Sequence, residues 1–305
     1  MVSGSSIGLT NLHKLVAASL VYGALACSWS AISTEVTIRV PAPRSAFDVS
    51  HDYHVKLLKL ALSPSKNKYV VRQMDLPLNQ GRAQIELEKG ELLDLYWFGA
   101  DSELDRQLAP IPVPTTRGLI GFRKFFIRSD MEAEFAKVQT LDDLSRFVAC
   151  QGRHWPDSKI LASANLSVTS SPNYETLFRM LDLGRCDYFP RGIHDFLTEL
   201  ELRRNRYPNL TQHNAMLLYY PFGVYFYTNK KQQGLADDLH EGMALLATSG
   251  RLLAFMKEHP LTRNVFVSEY SYSEKIIKLS NPLMTTNLRV NDKDFWFQPD
   301  YFIKH

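Results

Sequence analysis

Leu108-Ala-Pro-Ile-Pro-Val-Pro114 and, after three residues, Gly118-Leu-Ile-Gly-Phe-Arg-Lys-Phe-Phe-Ile127 break an otherwise regular alternation of short strands and helices. Three prolines at every second position fix φ and hold the chain extended. A long apolar run directly behind them reads as a crossover from one folded body into a second. On the N-terminal side, Val36, Ile38 and Val40 alternate with polar residues in a first strand over Glu35–Pro41. Tyr53, Leu57, Leu60 and Ala61 then recur at helical spacing behind Ser50 and Asp52, and Pro64 stops that helix. A strand at Tyr69–Arg72, a helix over Ala83–Lys89 closed by Gly90, and a strand Leu93–Phe98 complete a βαβαβ unit.

The alternation restarts beyond the crossover. Thr140 with Asp143 caps a short helix, followed by a strand to Cys150, a helix near Tyr174–Leu183 and a strand Cys186–Phe189. A second extended apolar segment, Leu217-Leu-Tyr-Tyr-Pro-Phe-Gly-Val-Tyr-Phe-Tyr227, carries the chain back. Leu235, Leu239, Met243 and Leu246 then form one stripe of a long helix, interrupted at Gly250 and resuming to Lys257. The expected architecture is α/β with two lobes, each a mostly parallel sheet flanked by helices. Residues 35–117 and 225–305 form the first lobe, 120–222 the second, and two extended strands join them. Ligands of such sheets bind at the carboxyl ends of the strands, here facing the gap between the lobes.

Composition narrows the class. Of 305 residues 45% are apolar and 22% charged, which excludes a disordered or disulfide-dense chain. Thirty-five Lys and Arg against 32 Asp and Glu leave +3, with the positive residues scattered, which argues against nucleic acid as a partner. The first 26 residues hold one charge, Lys14, ahead of an uncharged run to Ala26, and Ala24-Leu25-Ala26 supplies a small-x-small cleavage pattern. Residues 1–26 therefore read as a signal peptide for export to the periplasm, with lipid anchoring at Cys27 as an alternative. Cys150 and Cys186 lie in strands of the same lobe. In an oxidising compartment they can pair, or remain as two buried thiols; both readings stay open.

Several motifs carry no chemistry. Gly4-Ser-Ser-Ile-Gly8 matches a nucleophile elbow but precedes the apolar core of the signal, His51 and His54 lack further metal ligands, and no phosphate-cradling glycine loop is present. No catalytic constellation stands out, so neither an enzyme nor a cofactor is expected.

Taken in order, the two crossover stretches, Gly184-Arg-Cys-Asp-Tyr-Phe-Pro-Arg-Gly192, Tyr220-Pro-Phe222 and Thr248-Ser-Gly250 give a chain that resembles the bacterial periplasmic solute-binding proteins. The likeness is to a divergent branch of the amino-acid-type, family 3 group that serves ABC transporters, with the type 2 fold. It covers roughly residues 35 to 285. The resemblance implies a ligand trapped between closing lobes and, as a partner, a membrane permease or sensor that meets a monomeric receptor.

It also implies contacts. Arg106, in Gly99-Ala-Asp-Ser-Glu-Leu-Asp-Arg106, matches the arginine that pairs with a ligand carboxylate, or is a solvated residue paired with Asp105 or Glu103. The acid that holds a ligand amine falls, by count from Asp187, on Gly192, so it is missing, and Arg191 beside it offers positive charge instead. Trp97 and Trp155, at strand ends, can stack on a ligand. Ser170, Ser171 and Asn173, ahead of a helix, can meet an anion or act as caps.

The expected function is capture of a small polar, anionic solute, an amino acid or organic anion, for transport or sensing. Two other classes remain: a relative without a pocket that acts as a periplasmic scaffold, and a cell-wall lyase on the same frame, for which Glu103 is the nearest catalytic acid.

Overall fold

In the computed structural model, residues 35–268, 272–273, 275–284 and 289–303 are described, together with Met1, Val2 and Gly4. Apart from those three, the expected signal segment lies outside the described residues, as does Cys27. Strand β1 (Glu35–Ala42) pairs in parallel with β2 (Lys68–Pro77), Ile38 opposite Val71. Between them runs α1 (Val49–Leu62), which buries Tyr53, His54, Leu57, Leu58 and Ala61. Helix α2 (Gln80–Lys89) starts at Asn79, whose carboxamide oxygen accepts from the Arg82 amide, and ends at Gly90, where φ is +73°. That left-handed turn is why a glycine closes the helix.

Strand β3 (Leu95–Gly99), α3 (Ser102–Gln107) and β4 (Ala109–Pro110) follow, and the chain then leaves this layer. It enters β5 (Phe122–Arg128), α4 (Glu132–Phe135), α5 (Leu141–Leu144), β6 (Val148–Gly152) and α6 (Pro156–Ser163). The Thr140–Asp143 cap of α5 is reciprocal, as expected. Next come β7 (Ser167–Ser171), α7 (Tyr174–Asp182), β8 (Tyr188–Gly192), α8 (Ile193–Glu199) and β9 (Leu210–Tyr219). The return strand is β10 (Val224–Thr228), followed by α9 (Gln233–Thr248), α10 (Arg251–Glu258) and β11 (Lys275–Lys278). Gly242 on α9 is required by contact with α1, since a Cβ there would lie 1.9 Å from the Ala61 carbonyl oxygen.

Three sheets result: β1–β2, then β3–β10–β4, then six strands in the order β11–β9–β5–β8–β6–β7. Both extended segments of the sequence are thus two strands each, one in either sheet, separated by a break at 111–121 and at 220–223. The first sheet is parallel, the second antiparallel and the six-stranded one mixed, where mostly parallel sheets were expected. Strand β10 runs antiparallel to β3 and β4, and β5 runs antiparallel to β8 and β9, because the strands that arrive from the other layer enter against the local direction. A second difference is β11, expected with the first lobe, which pairs with β9 in the six-stranded sheet.

The apolar interior forms three clusters, the first of which reaches across to Phe122, Ile193, Leu217 and Tyr219 of the six-stranded side. One cluster fills the space between α1, α9 and the β3 sheet, and two others lie on opposite faces of the six-stranded sheet. Cys150 on β6 and Cys186, just ahead of β8, form a disulfide with Cα atoms 5.5 Å apart. The chain beyond β11 ties down both breaks: Asn281 Nδ2 donates to the Pro221 carbonyl at 2.8 Å and the Phe297 amide to the Arg117 carbonyl at 2.9 Å. Among the described residues no helix is long and apolar enough to cross a membrane.

Candidate ligand-binding site

Strand carboxyl ends converge on one small cavity of about 60 Å³. From the first layer come Arg44 beyond β1, Gln80 beyond β2, and Trp97 and Gly99 on β3, with Ser50 and His54 from α1 and Thr116 from the first break. The six-stranded side supplies Arg123 on β5, Trp155 and Asp157 beyond β6, Arg191 on β8, and His194 and Asp195 at the start of α8.

Its walls are buried ion pairs. Arg191 is held by Glu199, Nε to Oε2 at 2.7 Å and Nη2 to Oε1 at 2.8 Å, and by Asp195 at 3.2 Å. Burial alone lowers an arginine's affinity for its proton, but here the Glu199 and Asp195 carboxylates outweigh it and push Arg191 well above its ordinary value. The same pairing drives Glu199 below the usual carboxylate range against its own burial, and Tyr174 donates its hydroxyl to that carboxylate. Arg44 is clasped by Asp48 at 2.8 and 2.9 Å. Arg123 meets Asp157, which also accepts from the Tyr220 hydroxyl at 2.5 Å.

Burial disfavours the protonated form of both cavity histidines. His54 Nδ1 lies 2.7 Å from the Ser50 carbonyl, which can only accept, so Nδ1 carries a proton, and Nε2 lies 3.1 Å from Thr115 Oγ1, whose own hydroxyl donates to the Val224 carbonyl at 3.2 Å. Its ring stacks on Trp97 at 4.9 Å with planes 2° apart, and burial pushes its pKa down to about 3. Burial also lowers His194. Three polar atoms of cavity-lining residues have no hydrogen-bond partner among the described residues: Thr116 Oγ1, Arg123 Nε and His194 Nδ1. Their residues are at most 4% exposed.

Of the residues expected from sequence, Trp97, Trp155 and Arg191 meet in this cavity. The guanidinium of Arg191 sits 5.1 Å over the Trp155 ring, and Trp155 rests against Gly152, where any Cβ would clash. Ser171 and Asn173 line an adjoining groove that shares Arg44, Gln80 and Trp155 with the cavity. Both also serve the backbone: Ser171 Oγ accepts from the Asn173 amide, and Asn173 caps α7 through the Thr176 amide. Ser170 lines neither space. Arg106 is not brought to the cavity; it stands exposed on α3, its carbonyl accepting from Lys230 Nζ. Glu103 is exposed as well and lies 3.8 Å from Lys159.

Arg44, His54, Arg123, Asp157, His194 and Asp195 were missed. Asp157 follows β6 in Trp155-Pro-Asp157, where the strand-end rule points, whereas Arg123 in Gly121-Phe-Arg-Lys124 stands at the amino end of β5, which reaches the cavity because that strand runs antiparallel to its neighbours. Three residues after Gly192, Asp195 brings a carboxylate to the cavity wall, paired with Arg191 at 3.2 Å.

No family model matches the sequence, and no curated protein matches it. Solved structures do. An ancestral arginine-binding protein bound to arginine is similar with a TM-score of 0.54 at 13% identity, over 73% of this chain and 97% of that one. A histidine kinase sensor domain with similarity to periplasmic binding proteins gives 0.54 at 19% identity, over 74% and 96%. An ancestral amino-acid-binding protein, a precursor of cyclohexadienyl dehydratase, gives 0.54 at 12%, over 73% and 95%. With the strand order and the cavity at the strand ends, these likenesses establish that the chain has the two-lobed, type 2 periplasmic-binding-protein fold.

Proposed function

We propose that this protein is an exported receptor that closes over a small anionic solute, for transport or sensing. The observation that carries the reading is the set of three orphaned polar atoms, Thr116 Oγ1, Arg123 Nε and His194 Nδ1, on residues that wall one cavity. Each such buried group costs about 1–3 kcal/mol unless something satisfies it. A bound solute does so.

The sign of that solute follows from what is already engaged. Asp157 is occupied by Arg123 and Tyr220, and Asp195 by Arg191, so neither carboxylate is left for a ligand ammonium. The donors left over are the Arg123 Nε–H and the Thr116 hydroxyl, which favour a ligand that presents acceptor oxygens, as a carboxylate does. The disulfide and the apolar N-terminal segment support an oxidising compartment such as the periplasm. The lyase reading has no carrier: Glu103 is exposed and near Lys159, and Glu199 is held ionised.

Thermal shift across amino acids, dicarboxylates and small organic anions tests this. A true ligand at about 100 times Kd adds roughly 2.7 kcal/mol of stability. Thr116→Val keeps the shape and removes the orphaned hydroxyl, so the free protein should melt at the wild-type temperature or above while its ligand response shrinks. A full response in both Thr116→Val and His194→Gln would remove this cavity from the site, and a silent panel would favour a scaffold.

A further inference from the structure

The receptor reading leaves the length of the ligand open. The inner cavity, about 60 Å³, is smaller than either of the spaces that adjoin it, so the greater part of a long ligand lies outside it.

Two exits lead outward past Trp155. One, of about 260 Å³, carries Asp101 and Glu103 along with Arg153 and Lys159, so its charges cancel. The other, of about 400 Å³, is lined by Arg44, Arg153 and His154 and contains no Asp or Glu. Arg44 is neutralised by Asp48, whereas no carboxylate is paired with Arg153 among the described residues. The wider exit therefore offers positive charge at its outer end, and the narrower one does not. Between inner cavity and groove the wall is continuous through Arg44, Gln80 and Trp155.

We infer that the ligand is an elongated dianion: one anionic end enters the inner cavity, its body passes Trp155, and its second anionic end reaches Arg153 in the acid-free groove. This rests on the receptor reading above and deepens it. A short anion fills only the inner half, and a long monoanion leaves Arg153 unmet.

Calorimetric titration of the full chain with α,ω-dicarboxylates from malonate to azelate, each beside the monocarboxylate of equal carbon number, tests it. The preference for dicarboxylate over monocarboxylate should be small for malonate and should rise to about two- to fivefold once the chain spans the groove, as expected for one added ion pair at an exposed arginine. Arg153→Gln, at an exposed position, should fold normally and lose most of that preference, and Arg153→Lys should regain part of it. The inference is overturned if malonate binds as tightly as the longest member, or if Arg153→Gln keeps the preference. It also falls if no dicarboxylate binds while a compact anion from the wider panel does, an outcome that leaves the receptor reading standing. Silence across the whole panel sinks both.

Discussion

At the scale of single residues, His54 shows how a packed ring becomes a liability in acid. Buried against Trp97 and bonded to Ser50 and Thr115, it is held neutral, with its pKa pushed down to about 3. The unfolded value lies near 6.5, so between those limits the unfolded chain binds the extra proton and stability falls as pH drops. The loss approaches about 1.4 kcal/mol per pH unit for this one group. Chemical denaturation at pH 7, 6, 5 and 4 should show that slope, and His54→Phe should reduce it by about one proton while lowering stability at pH 7, because Ser50 and Thr115 lose a partner. An unchanged slope in the variant would assign the effect to other buried histidines such as His194. The same scale shows where sequence reading stops. Trp97, Trp155 and Arg191 were legible because strand ends locate them. Arg106 was carried by likeness alone, and the short helix α3, capped by Asp101, turns its side chain to solvent. His54 and Asp195 come from elements about 140 positions apart in the chain and meet only at the walls of the folded cavity, which no local pattern announces.

Elements were more legible than sites, and their failures have a common cause. Helices α1, α2, α7 and α9 follow from apolar spacing and end signals such as Gly90, which needs nothing from the rest of the chain. Strand direction is different. Periodicity marks β5 and β10 as extended, but whether a strand runs with or against its neighbours is fixed by the route of the chain between layers, so the mixed sheets were not readable. The pairing of Cys150 with Cys186 is likewise a property of two elements: β6 and β8 share one backbone register pair, Ala149 with Tyr188, and the disulfide supplements it. These strands carry Gly152, on which Trp155 rests, and Arg191. Opening a loop of 36 residues should cost roughly 4 kcal/mol by chain entropy. Reduction, or Cys150→Ser with Cys186→Ser, should therefore lower the melting temperature by on the order of 10 °C. Scanning calorimetry with and without reductant measures this, and an unchanged midpoint would show that the β6–β8 pair holds without its crosslink.

For the whole molecule the question is what keeps the two layers together around the cavity when no ligand is bound. The rim is joined by a few polar contacts. Ser45 Oγ donates to Glu175 Oε1 at 3.0 Å, Arg44 lies 4.8 Å over Tyr174, and Lys159 approaches Asp101 at 3.3 Å. Lys159 is more than half exposed, so its pairing is screened and contributes no more than about 1 kcal/mol. If the layers open at this rim, contacts this weak add little to the cost, and a ligand that touches both layers can shift the population by its differential affinity. Lys159→Glu replaces attraction to Asp101 and Glu103 with repulsion and should favour the open form. Affinity for the strongest ligand of the panel is then expected to fall about two- to fivefold through faster dissociation, because about 1 kcal/mol corresponds to fivefold. Raising salt to about 1 M shortens the screening length to about 3 Å and should bring variant and wild type together. Solution scattering of the free protein should show a larger radius of gyration for Lys159→Glu at low salt and equal radii at high salt. Equal radii and equal dissociation rates at low salt would mean that the layers do not move against each other at this edge, and closure would have to be sought at the Ser45–Glu175 side of the rim.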